Sequence, residues 1–184
     1  MRCQAYKKRA QEKPITIHGY LSLRKRKCVL SEIDAKIRKA KKTLKQFGYA
    51  AVDISAQEFY DYMTGEIFSE DSTTLRDVLG NECIMIHEFV EISELKEMGR
   101  IIDKRVIVDS PKTTIYKAHF TAMEIELKYA LAKGDTFWAK FRLKQHKQSV
   151  LDDDPNLPEE LRPRAQEIYE KYSKLVKEQP QNNK

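Results

Sequence analysis

Two stretches of the chain set histidine and carboxylate side chains into otherwise apolar runs. In Ile84-Met85-Ile86-His87-Glu88-Phe89-Val90-Glu91-Ile92, a wheel at about 100° per residue puts apolar side chains around most of the circle. Glu88 falls between Ile92 and Leu95, and Glu91 between Met98 and Ile84. His87 lies one turn before Glu91 on the same side. The segment 114–133 repeats the pattern: its apolar arc, Ile115, Tyr116, Phe120, Ala122, Met123, Leu127, Tyr129 and Ala130, has His119 and Glu126 near its middle, two turns apart on one face. A buried, unpaired carboxylate is expensive, so His119 and Glu126 need partners, which a neighbouring helix can supply through Glu88 or Glu91. Such a set, Glu88, Glu91, His119 and Glu126 with His87 as a fifth member, suits a divalent metal ion (Mg, Mn, Fe or Zn) or acid/base chemistry between two helices. The competing reading makes His119 and Glu126 structural hydrogen-bonding groups and leaves Glu88 and Glu91 at a solvated rim.

Other chemistries find less support. The Glu-x-x-His pairs of ferritin-like di-iron bundles are absent, since His87 precedes Glu88, and so is HExxH. Glu88-x-x-Glu91 resembles the first-helix motif of all-α nucleotide pyrophosphatases, but the second Glu-x-x-Asp pair that family needs is missing, and the chain is not assigned to it. Neither Gly-x-Ser-x-Gly, a P-loop nor GxGxxG occurs, and 6 glycines leave little material for a phosphate-cradling loop. Cys3, Cys28 and Cys83 are odd in number and widely spaced, so they read as free thiols, with Cys83 buried and inert.

Charge raises a rival hypothesis. The net +6 hides an asymmetry: residues 1–47 hold 15 Lys/Arg against 3 Asp/Glu, a net +12 that leaves −6 for the remainder. Arg24, Lys25, Arg26 and Lys27, followed by Lys36, Lys39 and Lys42 on a helix face, can meet nucleic acid or another anionic partner. Lys140, Arg142, Lys144, His146 and Lys147 are interleaved with Phe137, Trp138 and Phe141, which adds aromatic rings for stacking. Phe137 and Phe141, four apart, are expected in the core. No helix-turn-helix, zinc-finger or RNA-recognition signature accompanies these residues.

The elements that must position these groups are helices. Ser31-x-x-Asp34 approximates a capping box opening a helix to Phe47, with Gly48 beyond its end. Its Ile33, Ile37, Ala40, Leu44 and Phe47 form a narrow seam for one partner helix, inside the fold or in a homodimer. Ser55-x-x-Glu58 caps a short second helix ending at Gly65. A segment from Leu75 to Met98, interrupted near Gly80-Asn81, stops at Gly99, and Arg100 to Val108 reads as a connection or extended piece. Ser110-Pro111 opens the helix that runs to Lys133, Asp135 caps another to about Val150, and a last helix spans Pro163 to Glu178. This spacing predicts an all-α antiparallel bundle of about six helices in one domain (31–178), with a basic, partly irregular N-terminal arm (1–30) and a disordered tail (179–184). Neither a spanning segment nor the apolar core of a signal peptide is present, so the expected location is cytoplasmic. The functional expectation is a metal-binding helical protein, a hydrolase of a phosphorylated substrate. The alternative is a non-enzymatic nucleic-acid or protein-binding adaptor that uses the basic N-terminal region.

Overall fold

A computed structural model describes residues 17–68, 73–152 and 154–179, with side chains from Arg26 onward. The first sixteen residues of the expected arm and most of the expected tail lie outside the described residues. Among those described, all regular structure is helical, in the order α1 (Ile17–Gln46), α2 (Ala56–Met63), α3 (Leu75–Gly80), α4 (Glu82–Glu97), α5 (Val106–Asp109), α6 (Lys112–Ala132), α7 (Thr136–His146) and α8 (Arg162–Glu178). No described helix is long and apolar enough to cross a membrane.

The core is built around α4. Met85, Ile86, Phe89, Val90, Ile92 and Leu95 are all buried, so this helix is enclosed on nearly every side, as its nearly all-round apolar wheel requires. Each such side chain contributes about 1.5–3 kcal/mol by leaving water. α6 packs most closely against α4, and α1, α2 and α3 also lie against it. The seam of α1, Ile33, Ile37, Ala40 and Leu44, is buried within the chain against α2 and α4, while Phe47 at its end is half-exposed and meets the Tyr129 ring edge-on.

Local sequence sets the boundaries. Ser55 and Glu58 form the expected capping box, Thr74 and Asp77 form another, and the Asn81 side chain caps Cys83 and Ile84, which separates α3 from α4. Gly99 and Gly134 adopt φ of 77° and 73°, the left-handed conformation that ends α4 and α6. After Gly99 the chain runs through the buried anchors Ile102 and Val106. Gly65 is needed for a different reason: a Cβ there would stand 2.5 Å from the Lys104 carbonyl oxygen.

Four expectations are corrected. α1 begins at Ile17, so Ser31 lies inside a helix and opens nothing. No proline interrupts residues 17–30, and the seam continues backward through Leu30 and Arg26, whose guanidinium donates to Gln57 and lies over the Tyr60 ring. The stretch 100–108 contains a short helix, because its β-branched residues find no strand to pair with. The cap of α6 is Pro111, not Ser110. Finally, α7 ends at His146 and continues as one π-helical segment, Lys147–Asp152.

Candidate metal centre

Within the α4–α6 pair, His87 lies beside Glu126 and Glu91 beside His119, so the two helices run antiparallel and bring both anomalous faces together. Three ligand-type atoms converge: His87 Nε2 is 3.2 Å from His119 Nδ1 and 3.2 Å from Glu91 Oε2, and His119 Nδ1 is 3.2 Å from Glu91 Oε2. They form an equilateral triangle. His87 and Glu91 come from successive turns of α4, and their side chains are 4 % and 8 % exposed; His119, from α6, is 26 % exposed and forms the outer corner. Of the expected site residues, these three are the ones that can together hold a metal ion.

The atoms behind the triangle are held in turn. His87 Nδ1–H donates to Glu126 Oε2 at 2.8 Å, which assigns the proton to Nδ1 and turns Nε2 toward the centre. The Tyr62 hydroxyl donates to Glu91 Oε1 at 2.9 Å, leaving Oε2 to face the two imidazoles. Glu126 is fully buried, and it accepts from Trp138 Nε1 at 2.7 Å and from Arg142 Nε at 2.8 Å. Thus Glu126 sits one bond behind the triangle rather than on it. Glu88 is half-buried and is not part of the trio.

Electrostatics follow from these contacts. Burial opposes a charge on His87, yet the hydrogen bonds to Glu126 and Glu91 outweigh it and raise its pKa to about 10. Burial likewise opposes ionisation of Glu91, but His119 and His87 hold its carboxyl well below the usual range. For Glu126 the burial penalty is outweighed by the charge of Arg142 and the hydrogen bonds from His87 and Trp138, which bring it down to about 2. Two buried carboxylates are therefore answered by cations and donors. Cys83, near this network, has its thiol pushed up to about 12 by burial and by the charge of Glu126, as the expected inert thiol should.

The five expected residues include this trio, with Glu126 one bond behind it and Glu88 outside it, and the partners of Glu126 are His87, Trp138 and Arg142 rather than Glu88 or Glu91. Trp138 and Arg142, which the sequence places with the nucleic-acid contacts, are one turn apart on the inward flank of α7 and bond Glu126. The readable signal was the short Gly134-Asp135 link, which folds α7 back on α6, and the Asp135 cap bonded to Trp138 N. Phe137 and Phe141 are corrected in the opposite direction: they are 80 % and 43 % exposed, not core. Among the other basic residues, Arg24 and Lys25 belong to α1 with side chains outside the description. Lys27 and Lys42 are exposed, Lys36 is half-buried, and Lys39 pairs with Glu82 at 3.0 Å.

Comparison with protein-family models, curated proteins and solved structures finds no match for this chain.

Proposed function

We propose that the protein binds one transition-metal ion on His87 Nε2, Glu91 Oε2 and His119 Nδ1, and that it is a metal-dependent hydrolase. The single observation behind this reading is the triangle with 3.2 Å on every side. Protonated His87 donates to Glu126 and Glu91, and a cation at the centre of the triangle would take the place of its Nε2 proton. A central cation makes all three contacts favourable at once. A tetrahedral ion bonded at about 2.0–2.1 Å requires ligand atoms roughly 3.3 Å apart, close to the spacing observed. Two imidazoles with one carboxylate favour zinc, iron or cobalt over magnesium and calcium, which prefer all-oxygen sets.

The chain's own residues have defined tasks in this reading. Glu126 fixes the tautomer and orientation of His87, as the carboxylate behind a metal-bound histidine commonly does. Tyr62 does the same for Glu91, and Trp138 and Arg142 keep Glu126 charged. His119, at the exposed corner, is the side from which water and substrate would approach. An ion held by only these three residues would leave a place for water and would bring that water's pKa down to about 7, the chemistry of a hydrolytic nucleophile.

Titration of chelator-treated protein with Zn²⁺, Co²⁺, Mn²⁺ and Mg²⁺ by calorimetry tests the reading. One tight site is expected for Zn²⁺ or Co²⁺, lost in His119→Ala and Glu91→Ala, together with chelator-sensitive cleavage in a panel of phosphoesters and carboxylic esters. Absence of a stoichiometric site, or a site that survives both substitutions, would refute metal binding. Tight metal binding without any cleavage would refute the hydrolase and leave the metal site standing.

A further inference from the structure

The outward face of α7 carries a second recognition surface that does not depend on the metal reading. At about 100° per residue, Lys140, Lys144, Phe137 and Phe141 fall in that order on an arc of roughly 100°, opposite the buried Ala139 and His146, and Lys147 follows in the π-helical segment. Phe137 is 80 % and Phe141 43 % exposed. Two large aromatic rings left in water on an eleven-residue helix are costly unless something covers them. Beside them Lys140, Lys144 and Lys147 line one wall of an open groove of about 470 Å³, with Lys177 and the half-buried Tyr169 of α8 on the other. Among the described residues, Asp152 is the one acid on the groove lining. None of the four lysines has a carboxylate partner among the described residues.

We infer that this face binds single-stranded nucleic acid, with the lysine row on the phosphates and Phe137 and Phe141 under the bases. Charge complementarity selects a polyanion. Lys140 and Lys144 stand one turn apart, a rise of about 6 Å along α7, so neighbouring cations can meet neighbouring phosphates. The exposed phenyls select bases over acidic side chains, because only bases offer π-faces to stack on. A duplex keeps its base faces hidden, so a single strand fits better. The Trp138 ring lies 5.6 Å from Phe141, so the chain's only tryptophan reports occupancy directly.

The test is titration of the full-length protein with a fluorescein-labelled oligothymidylate, read by anisotropy and by Trp138 emission over a range of salt. Binding should weaken steeply with salt. Combined replacement of Lys140, Lys144 and Lys147 by Gln should flatten the log–log slope by about 2, at roughly 0.7 per phosphate contact. Phe137→Ala and Phe141→Ala should each weaken binding at least about fivefold, the loss of one stacked base. All five residues are exposed or on the rim, and circular dichroism checks that the variants keep their helices. No binding at low salt would overturn the inference, as would binding unchanged by the lysine or the phenylalanine replacements. Equal competition by polyglutamate or by duplex would assign the face to generic polyanions instead. Conversion of a dimer to a monomer by Phe137→Ala and Phe141→Ala, with oligonucleotide binding intact, would assign the phenyls to a second copy of the chain.

Discussion

Glu126 is the residue on which the interior depends, since a carboxylate with no exposure to water persists as an anion only where donors and cations surround it. Glu126→Gln keeps the shape but removes the charge that fixes the His87 tautomer, and metal affinity should fall about 10- to 100-fold by calorimetry. An unchanged affinity would mean that the carboxylate serves packing alone. His146 behaves differently. It is buried, its Nε2–H donates to the Ala165 carbonyl oxygen at 3.0 Å, and its Nδ1 has no partner among the described residues. Burial, with the charges of His119, Arg142 and His87 adding to it, lowers its pKa to about 4 from an ordinary value of 6.5. The unfolded chain then takes up a proton at a pH where the folded one does not. Its contribution to stability is complete above pH 6.5 and is lost as pH falls toward 4, by up to roughly 3 kcal/mol. Urea unfolding of wild type and His146→Asn at neutral pH and near pH 4.5 should show a smaller acid loss in the variant; equal losses would contradict the assignment. His87, Glu91 and His119 were legible because polar residues on apolar faces stand out. The role of Trp138 and Arg142 was not, because which side of α7 faces inward depends on the docking angle after Gly134.

At the scale of elements, the link between α6 and α7 aims the groups that support the His87–Glu91–His119 cluster. Gly134 ends α6 with positive φ, and the Asp135 carboxylate accepts from Trp138 N at 2.9 Å. Asp135→Ala should cost about 1 kcal/mol in chemical denaturation through loss of the cap, and it should also shift Trp138 emission, since that cap fixes the residue bonded to Glu126. A stability loss with unaltered emission would show that the cap is dispensable for aiming the indole. Helix stops at Gly48, Gly99 and Gly134 and the caps at Ser55 and Asp135 were readable, because φ and backbone donors are decided by one or two residues. The start of α1 was not. Ser31 resembles a cap, but the stretch before it holds no breaker stronger than Gly19, and its docking on α2 through Arg26 is a tertiary contact that no local pattern announces.

For the whole molecule, the all-helical architecture was evident from periodicity, whereas the exposure of Phe137 and Phe141 inverted the expectation drawn from their spacing. A four-residue interval marks one face of a helix without saying which way the face points. α1 illustrates how the molecule is held together: its seam closes on α2 and α4 of the same chain, so Leu44→Ala should cost about 2–5 kcal/mol in urea unfolding, and a loss under 1 kcal/mol would mean that α1 is loosely attached. The central claim is that two helices of this bundle build a three-ligand metal site, and it is tested most directly by anomalous diffraction at the zinc edge from crystals grown with Zn²⁺. The account predicts one strong peak, about 2.0–2.1 Å from His87 Nε2, Glu91 Oε2 and His119 Nδ1, absent from crystals of His119→Ala. No peak between α4 and α6 in zinc-saturated wild-type crystals, or one held by other residues, would contradict it.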